Sequence, residues 1–257
     1  MKILKNLLED CKHLLFIDFE GTQMSHEVIA IGALICDCDS SYIPSNEYKT
    51  FKCYVKANAP IGYIIETMTG ITQSKLDEEG LTFEDAMLKL NLFIANKTDK
   101  LKVVTYGNQD VRMLMTTLSK VNNPSPFLKE FCNFLAKNTL DFGTFISKYI
   151  RGKKNEFISL IHLRDFLKIA PSGTSHDPLV DSMDLYNIFK TITSHKEILI
   201  EAYTSLLVNS NLVPASIKNL IVDLVNGKSV SPEDFKLALE IYFSWTTLME
   251  KNTNHKT

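Results

Sequence analysis

The chain has 257 residues, of which 45% are hydrophobic and 23% charged; this excludes general disorder and suffices for one well-buried domain plus an accessory piece. Its formal net charge of −2 speaks against a tight duplex binder, which needs a strongly basic face. The five cysteines are odd in number and without a spaced zinc pattern, no signal peptide is read and no apolar run reaches a membrane span, so free thiols in a reducing, cytoplasmic setting are expected.

In chain order, a helical lead over Ile3 to Glu9 is followed by strands near 13–19, 27–37 and 48–56. The first strand carries acids at two positions only, Asp18 and Glu20, in Phe16-Ile-Asp-Phe-Glu-Gly-Thr22. Residues i and i+2 of a strand share a face, so the two carboxylates stand side by side, and Gly21 marks a bend or a close approach of backbone to a ligand. Taken alone, Asp-x-Glu reads better as a strand end with two solvated acids. Carboxylates in an apolar strand are costly unless something positive compensates them, and divalent cations are the natural candidates.

A loop with Pro60 leads to a short helix ending near Thr69, then a helix near 83–96 and a strand near 102–106. That strand breaks at Gly107-Asn108, so Asp110 falls in the first turn of a helix over 109–120, where orphan backbone donors favour a carboxylate. By itself Asp110 reads as a cap, a role Asn108 could equally fill. Helices near 126–137, 143–150 and 159–168 follow, then the turn-forming loop Pro171-Ser-Gly-Thr-Ser175 and a helix that begins with His176 and carries Asp181. A histidine beside such a loop suits proton transfer near neutral pH, and Asp177 and Asp184 read as ordinary solvated or capping acids.

Beyond about residue 192 three amphipathic helices are expected, near 196–209, 214–226 and 232–250, before a disordered tail over Lys251 to Thr257. Residues 1–192 and 193–257 thus read as a domain and a C-terminal helical extension. The extension is expected to pack back on the domain, with a homodimer or protein partner as the alternative, and Trp245 is expected inside the helical bundle.

The three acidic segments resemble the motifs of the DEDDh 3′-to-5′ exonucleases, a branch of the DnaQ-like, ribonuclease H-type superfamily. Asp18 to Thr22 resembles that family's first motif, His26-Glu-Val-Ile-Ala-Ile-Gly-Ala33 the strand that follows, and Met68-Thr-Gly-Ile-Thr72 its Leu-Thr-Gly-Ile-Thr element. Tyr106 to Asp110 is similar to the second motif and His176 to Asp181 to the third, with Met68, Pro178 and Ser182 departing from the usual residues. The resemblance covers residues 12 to 190 and implies an α/β fold, a ribonuclease H-like mixed sheet flanked by helices. It also implies two Mg²⁺ or Mn²⁺ ions held by Asp18, Glu20, Asp110 and Asp181, His176 as general base, Gly21 and Thr22 with backbone groups against the terminal nucleotide, and Met68 against its base.

The expected activity is release of nucleoside 5′-monophosphates from 3′ ends of single-stranded nucleic acid. The wording of the first two motifs is closest to the histone-stem-loop and small-RNA trimming exonucleases, which favours RNA. An enzyme holding a short single-stranded end through metals and stacking needs no strongly basic surface. The alternatives are a DNA proofreading or repair exonuclease of the same superfamily and a catalytically silent binding module, which would need no five ionisable groups at one spot.

Overall fold

The chain's most apolar segment is β2 (Val28–Cys38), buried from Val28 to Cys36, and beside it β1 (His13–Gly21) is buried over Leu14 to Ile17. Strands buried on both faces need cover on both sides. The computed structural model describes residues 2–95, 97–152 and 155–253, with the backbone alone for residues 2, 3, 5 and 244–253.

The elements run α1 (Lys2–Leu8), β1, β2, β3 (Pro44–Tyr54), α2 (Tyr63–Thr69), α3 (Gln73–Glu79), α4 (Phe83–Phe93), β4 (Leu101–Thr105) and α5 (Gln109–Lys120). They continue with α6 (Pro126–Lys137), β5 (Thr139–Asp141), α7 (Phe142–Ile146), α8 (Leu160–Phe166) and α9 (Pro178–Ser194). One five-stranded sheet has the order β3-β2-β1-β4-β5. β1 pairs antiparallel with β2, and β2 with β3, whereas β1–β4 and β4–β5 are parallel. This is the mixed sheet expected from the sequence.

Alternation along β1 sorts the two faces. Leu15, Ile17 and Phe19 enter a core with Phe83, Met87, Leu114, Leu128 and Phe131 of α4, α5 and α6. Phe16 points the other way, into edge-on ring contacts with Tyr186 and Phe189 of α9 at 5.5 and 5.4 Å. Asp18 and Glu20 continue the Phe16 face, so both acids emerge on the side that α9 covers. Packing of α9 on β1 and β2 therefore decides what meets them.

Met1–Lys196 and Glu197–Thr257 form two compact units. In the second unit α10 (Lys196–Asn209), α11 (Ala215–Val225) and α12 (Pro232–Thr253) follow one another. There α11 and α12 pack together, with Ser216 Oγ donating to the Ala238 carbonyl at 2.7 Å. Helix α12 continues to Thr253, so Lys251 to Thr253 are helical where a disordered tail was expected. The side chain of Trp245 and residues 254–257 lie outside the described residues. Among the described residues no helix is long and apolar enough to cross a membrane.

Candidate active site

In the β1–β2 register Asp18 stands opposite Gly32 and Glu20 opposite Ala30, so the neighbours of both acids are small. A Cβ on Gly32 would lie 2.0 Å from the Pro178 carbonyl carbon and 2.1 Å from the Leu179 nitrogen. The first turn of α9 thus rests directly on β2. That approach carries the preceding loop and Asp181 over the acids of β1.

His176 has φ 65, a left-handed conformation, and its N–H donates to Asp181 Oδ2 at 3.1 Å. A non-glycine residue there is uncommon and is held by its surroundings. Glu20, His176 and Asp181 each offer a ligand atom, and these atoms lie within 4.8 Å of one another. Asp110 comes from the opposite direction: buried in the first turn of α5, it accepts the Phe19 N–H through Oδ1 at 3.0 Å. It is therefore tied to the strand between Asp18 and Glu20. Asn108 occupies the N-cap position of α5 without a side-chain capping bond.

Within this group burial and the neighbouring acids disfavour the charged form of each carboxylate. Burial first, then the fields of Asp110, Glu20, Asp181 and Asp177, push Asp18 well above the usual carboxylate range. Burial and the neighbouring acids Asp181, Asp110 and Asp177 push Glu20 up to about 8. Asp110 is pushed up to about 7 by burial, against the N–H of Phe19, which favours its charged form. Burial also raises Asp181, opposed by the bond from the His176 N–H. None of these four acids takes part in the ion pairs of the described residues. Hard oxygen donors that disfavour one another's charge fit Mg²⁺ or Mn²⁺.

Asp177 and Asp184 depart from their expected roles to different degrees. Asp177 does cap α9, accepting the Leu179 N–H at 3.0 Å, but its other oxygen lies 2.5 Å from Lys52 Nζ. Asp184 is neither solvated nor a cap. It is buried, 2.8 Å from Arg164 Nη1 of α8, and accepts the Ser172 N–H at 2.9 Å, anchoring the loop that leads to His176.

The remaining expected residues lie at the end of β1. Gly21 is buried, and a Cβ there would meet Met113 Sδ at 2.5 Å. Thr22 uses its groups within its own turn: its N–H donates to the Glu27 carbonyl at 2.8 Å and its carbonyl accepts the His26 N–H at 3.2 Å. Its hydroxyl meets Ser25 Oγ at 2.7 Å and accepts the Glu27 N–H at 3.0 Å. These bonds make Thr22 the residue that builds the turn after β1. Sequence reasoning also missed Glu27, whose buried carboxylate takes Ser25 Oγ, the Asn58 N–H and Lys120 Nζ at 2.7, 2.9 and 3.2 Å. Met68 is exposed on α2 beside Tyr63 and Ile64, and the Ile64 N–H donates to Gln23 Oε1 at 3.3 Å. The start of α2 is thus tied to Gln23, just beyond the end of β1.

No family model matches the chain. It is 25% identical over 197 residues to the "Probable 3′-5′ exonuclease KapD" of Bacillus subtilis (strain 168), covering 72% of this chain and 87% of that protein. Among solved structures it resembles the nuclease domain of 3′hExo, a DEDDh family member, bound to rAMP, with TM-score 0.57, 21% identity and coverage of 72% of this chain and 94% of that one. It also resembles the cell-death related nuclease CRN-4, with TM-score 0.55, 18% identity and coverage of 72% and 64%. Escherichia coli Exonuclease I in complex with a dA16 oligonucleotide gives TM-score 0.53 at 15% identity, over 82% of this chain and 45% of that one. The chain thus has the ribonuclease H-like fold of the DEDDh exonucleases, and a probable 3′-5′ exonuclease stands among its relatives in sequence.

Proposed function

We propose that the chain is a metal-dependent 3′-5′ exonuclease that removes nucleoside 5′-monophosphates from single-stranded nucleic acid, with RNA favoured over DNA. The observation that carries this reading is the convergence of Glu20, His176 and Asp181 within 4.8 Å, beside Asp18 and Asp110. Residues 1–192 would be the nuclease domain and 193–257 a helical extension. Divalent ions held by Asp18, Glu20, Asp110 and Asp181 would neutralise the scissile phosphate and lower the pKa of the attacking water.

The residues of the chain divide the remaining work. Asp181 holds the backbone of His176 in its left-handed conformation, and the imidazole takes the proton of the attacking water as general base. Asp110, fixed to the Phe19 N–H, presents its carboxylate beside the centre. Met68, exposed on α2, packs against the terminal base. The preference for RNA rests on the Phe-Ile-Asp-Phe-Glu and Tyr-Gly-Asn-x-Asp wording and on the likeness to 3′hExo, whose structure holds rAMP. Turnover of matched RNA and DNA oligonucleotides with Mg²⁺ or Mn²⁺ tests it: faster release of ribonucleoside 5′-monophosphates is expected, and faster attack on DNA would favour the repair-type reading.

One observation favours a second role for the histidine. A ring nitrogen of His176 lies inside the same group of ligand atoms as Glu20 and Asp181, so the imidazole is placed to bind a metal as well. Calorimetric titration of His176→Ala with Mn²⁺ separates the two, because a general base leaves metal affinity nearly intact and a ligand does not.

A further inference from the structure

A second cluster of charge faces the same side of the sheet as the acids. The strand registers run Asp18, Gly32, Lys52 in one row and Glu20, Ala30, Tyr54 in the next. Directly opposed residues of antiparallel strands share a face, so Lys52 and Tyr54 stand on the α9 side, about 10 Å from the acids at two strand spacings. Lys52 Nζ reaches Asp177, the neighbour of His176, at 2.5 Å. From α3, Lys75 Nζ lies 4.5 Å from the centroid of the Tyr54 ring, and Lys52 Nζ lies 5.6 Å from it. Two ammonium groups therefore meet on one phenol ring at the rim of the centre.

The two ammonium groups differ in their partners. Asp177 pairs with Lys52 while also capping α9, whereas Lys75 feels the fields of Glu79 and Asp177 but belongs to none of the ion pairs of the described residues. Both lysines and Tyr54 are partly exposed, so a ligand can reach them. The rim borders four carboxylates that repel a polyanion, in a chain with net charge −2. A single strand whose last phosphate lies at Asp18 and Glu20, and whose backbone runs toward β3, meets the ammonium groups of Lys52 and Lys75. Tyr54 packs against the buried cluster that contains Ala30, Ile71 and Leu76, which restrains its ring.

We propose that Lys52, Tyr54 and Lys75 form a phosphate-binding subsite that holds the single-stranded backbone upstream of the bond cut at the acidic centre. This rests on the nuclease reading above. Lys75→Gln is the cleaner variant, because Lys52 also holds Asp177 beside His176. The full chain is titrated with a fluorescent single-stranded RNA in chelator across a range of salt, and KM and kcat are measured with Mg²⁺ on the same strand. Lys75→Gln should bind several-fold more weakly and raise KM more than it lowers kcat. The slope of log affinity against log salt should fall by about 0.7, the value for one phosphate contact on a single strand. Lys137→Gln, on α6 across the sheet, removes the same charge and should change neither quantity. Wild-type affinity and slope in Lys75→Gln, or an equal loss in Lys137→Gln, overturns the subsite. Failure of the wild-type chain to degrade RNA or DNA overturns the nuclease reading instead, and the binding titration still reports on the subsite.

Discussion

The absent side chain of Gly32 is what lets Pro178 reach the sheet, since a Cβ there would stand 2.0 Å from the Pro178 carbonyl carbon. The obstacle is helix backbone, which cannot turn aside as a flexible side chain could. Gly32→Ala must therefore push the first turn of α9 off β2, moving His176 and Asp181 away from Asp18 and Glu20. Overpacking of this kind costs about 1–3 kcal/mol. A lowered melting temperature together with a loss of turnover far larger than that of a surface substitution is expected, and calorimetry beside an activity assay measures both.

Asp18→Asn should have opposite effects on the metal-free and metal-loaded protein. Without metal, burial and four neighbouring acids disfavour the Asp18 charge, so its removal should leave the fold intact and raise the melting point in chelator at alkaline pH. With Mn²⁺ the variant should lose most of the thermal gain that the wild type shows, along with its turnover. A variant less stable than wild type in chelator would show that Asp18 is stabilised by something other than a bound cation.

The pH dependence of stability follows from Glu20, whose pKa rises from the ordinary 4.5 to about 8 on folding. Between those values the folded state holds a proton that the unfolded state has released. Stability of the metal-free protein therefore falls as pH rises through this window, and the loss is complete above pH 8. Divalent cations bind the ionised carboxylates, so their affinity should rise over the same range with release of protons. Melting curves in chelator and in Mn²⁺ at acid and alkaline pH should diverge as pH increases; parallel curves would count against Glu20 as a ligand.

Much of this site is legible along the chain, because it depends on local spacing. The side-by-side placement of Asp18 and Glu20 is a property of any strand, and α5 begins at Gln109 as expected, whereas α9 begins at Pro178 and leaves His176, expected at the helix start, in the loop before it. What escapes is held by contacts between distant segments. Asp184 looks solvated until Arg164, twenty positions earlier, is seen at 2.8 Å, and Lys52 looks like an ordinary strand lysine until it meets Asp177. Gly32 reads as one residue of a motif, although its role is the space it leaves for α9. Helix α3 is missed because Leu76 is its one buried residue, and β5 because three residues carry no period.

His176→Ala tests the division of labour at the centre. As general base, His176 should contribute roughly 10²–10⁴-fold to turnover. Asp18, Glu20, Asp110 and Asp181 all remain in the variant, so Mn²⁺ affinity should stay near the wild-type value. A loss of metal affinity matching the loss of turnover would assign the imidazole to the metal.

The central claim is tested most directly by following one single-stranded oligonucleotide, labelled at its 5′ end in one sample and at its 3′ end in another, with Mn²⁺ and with chelator. The account predicts a 5′-labelled ladder shortening one nucleotide at a time, immediate release of the 3′ label as a nucleoside 5′-monophosphate, and no reaction in chelator. Early release of the 5′ label, internal cuts, or equal rates with and without metal would contradict it.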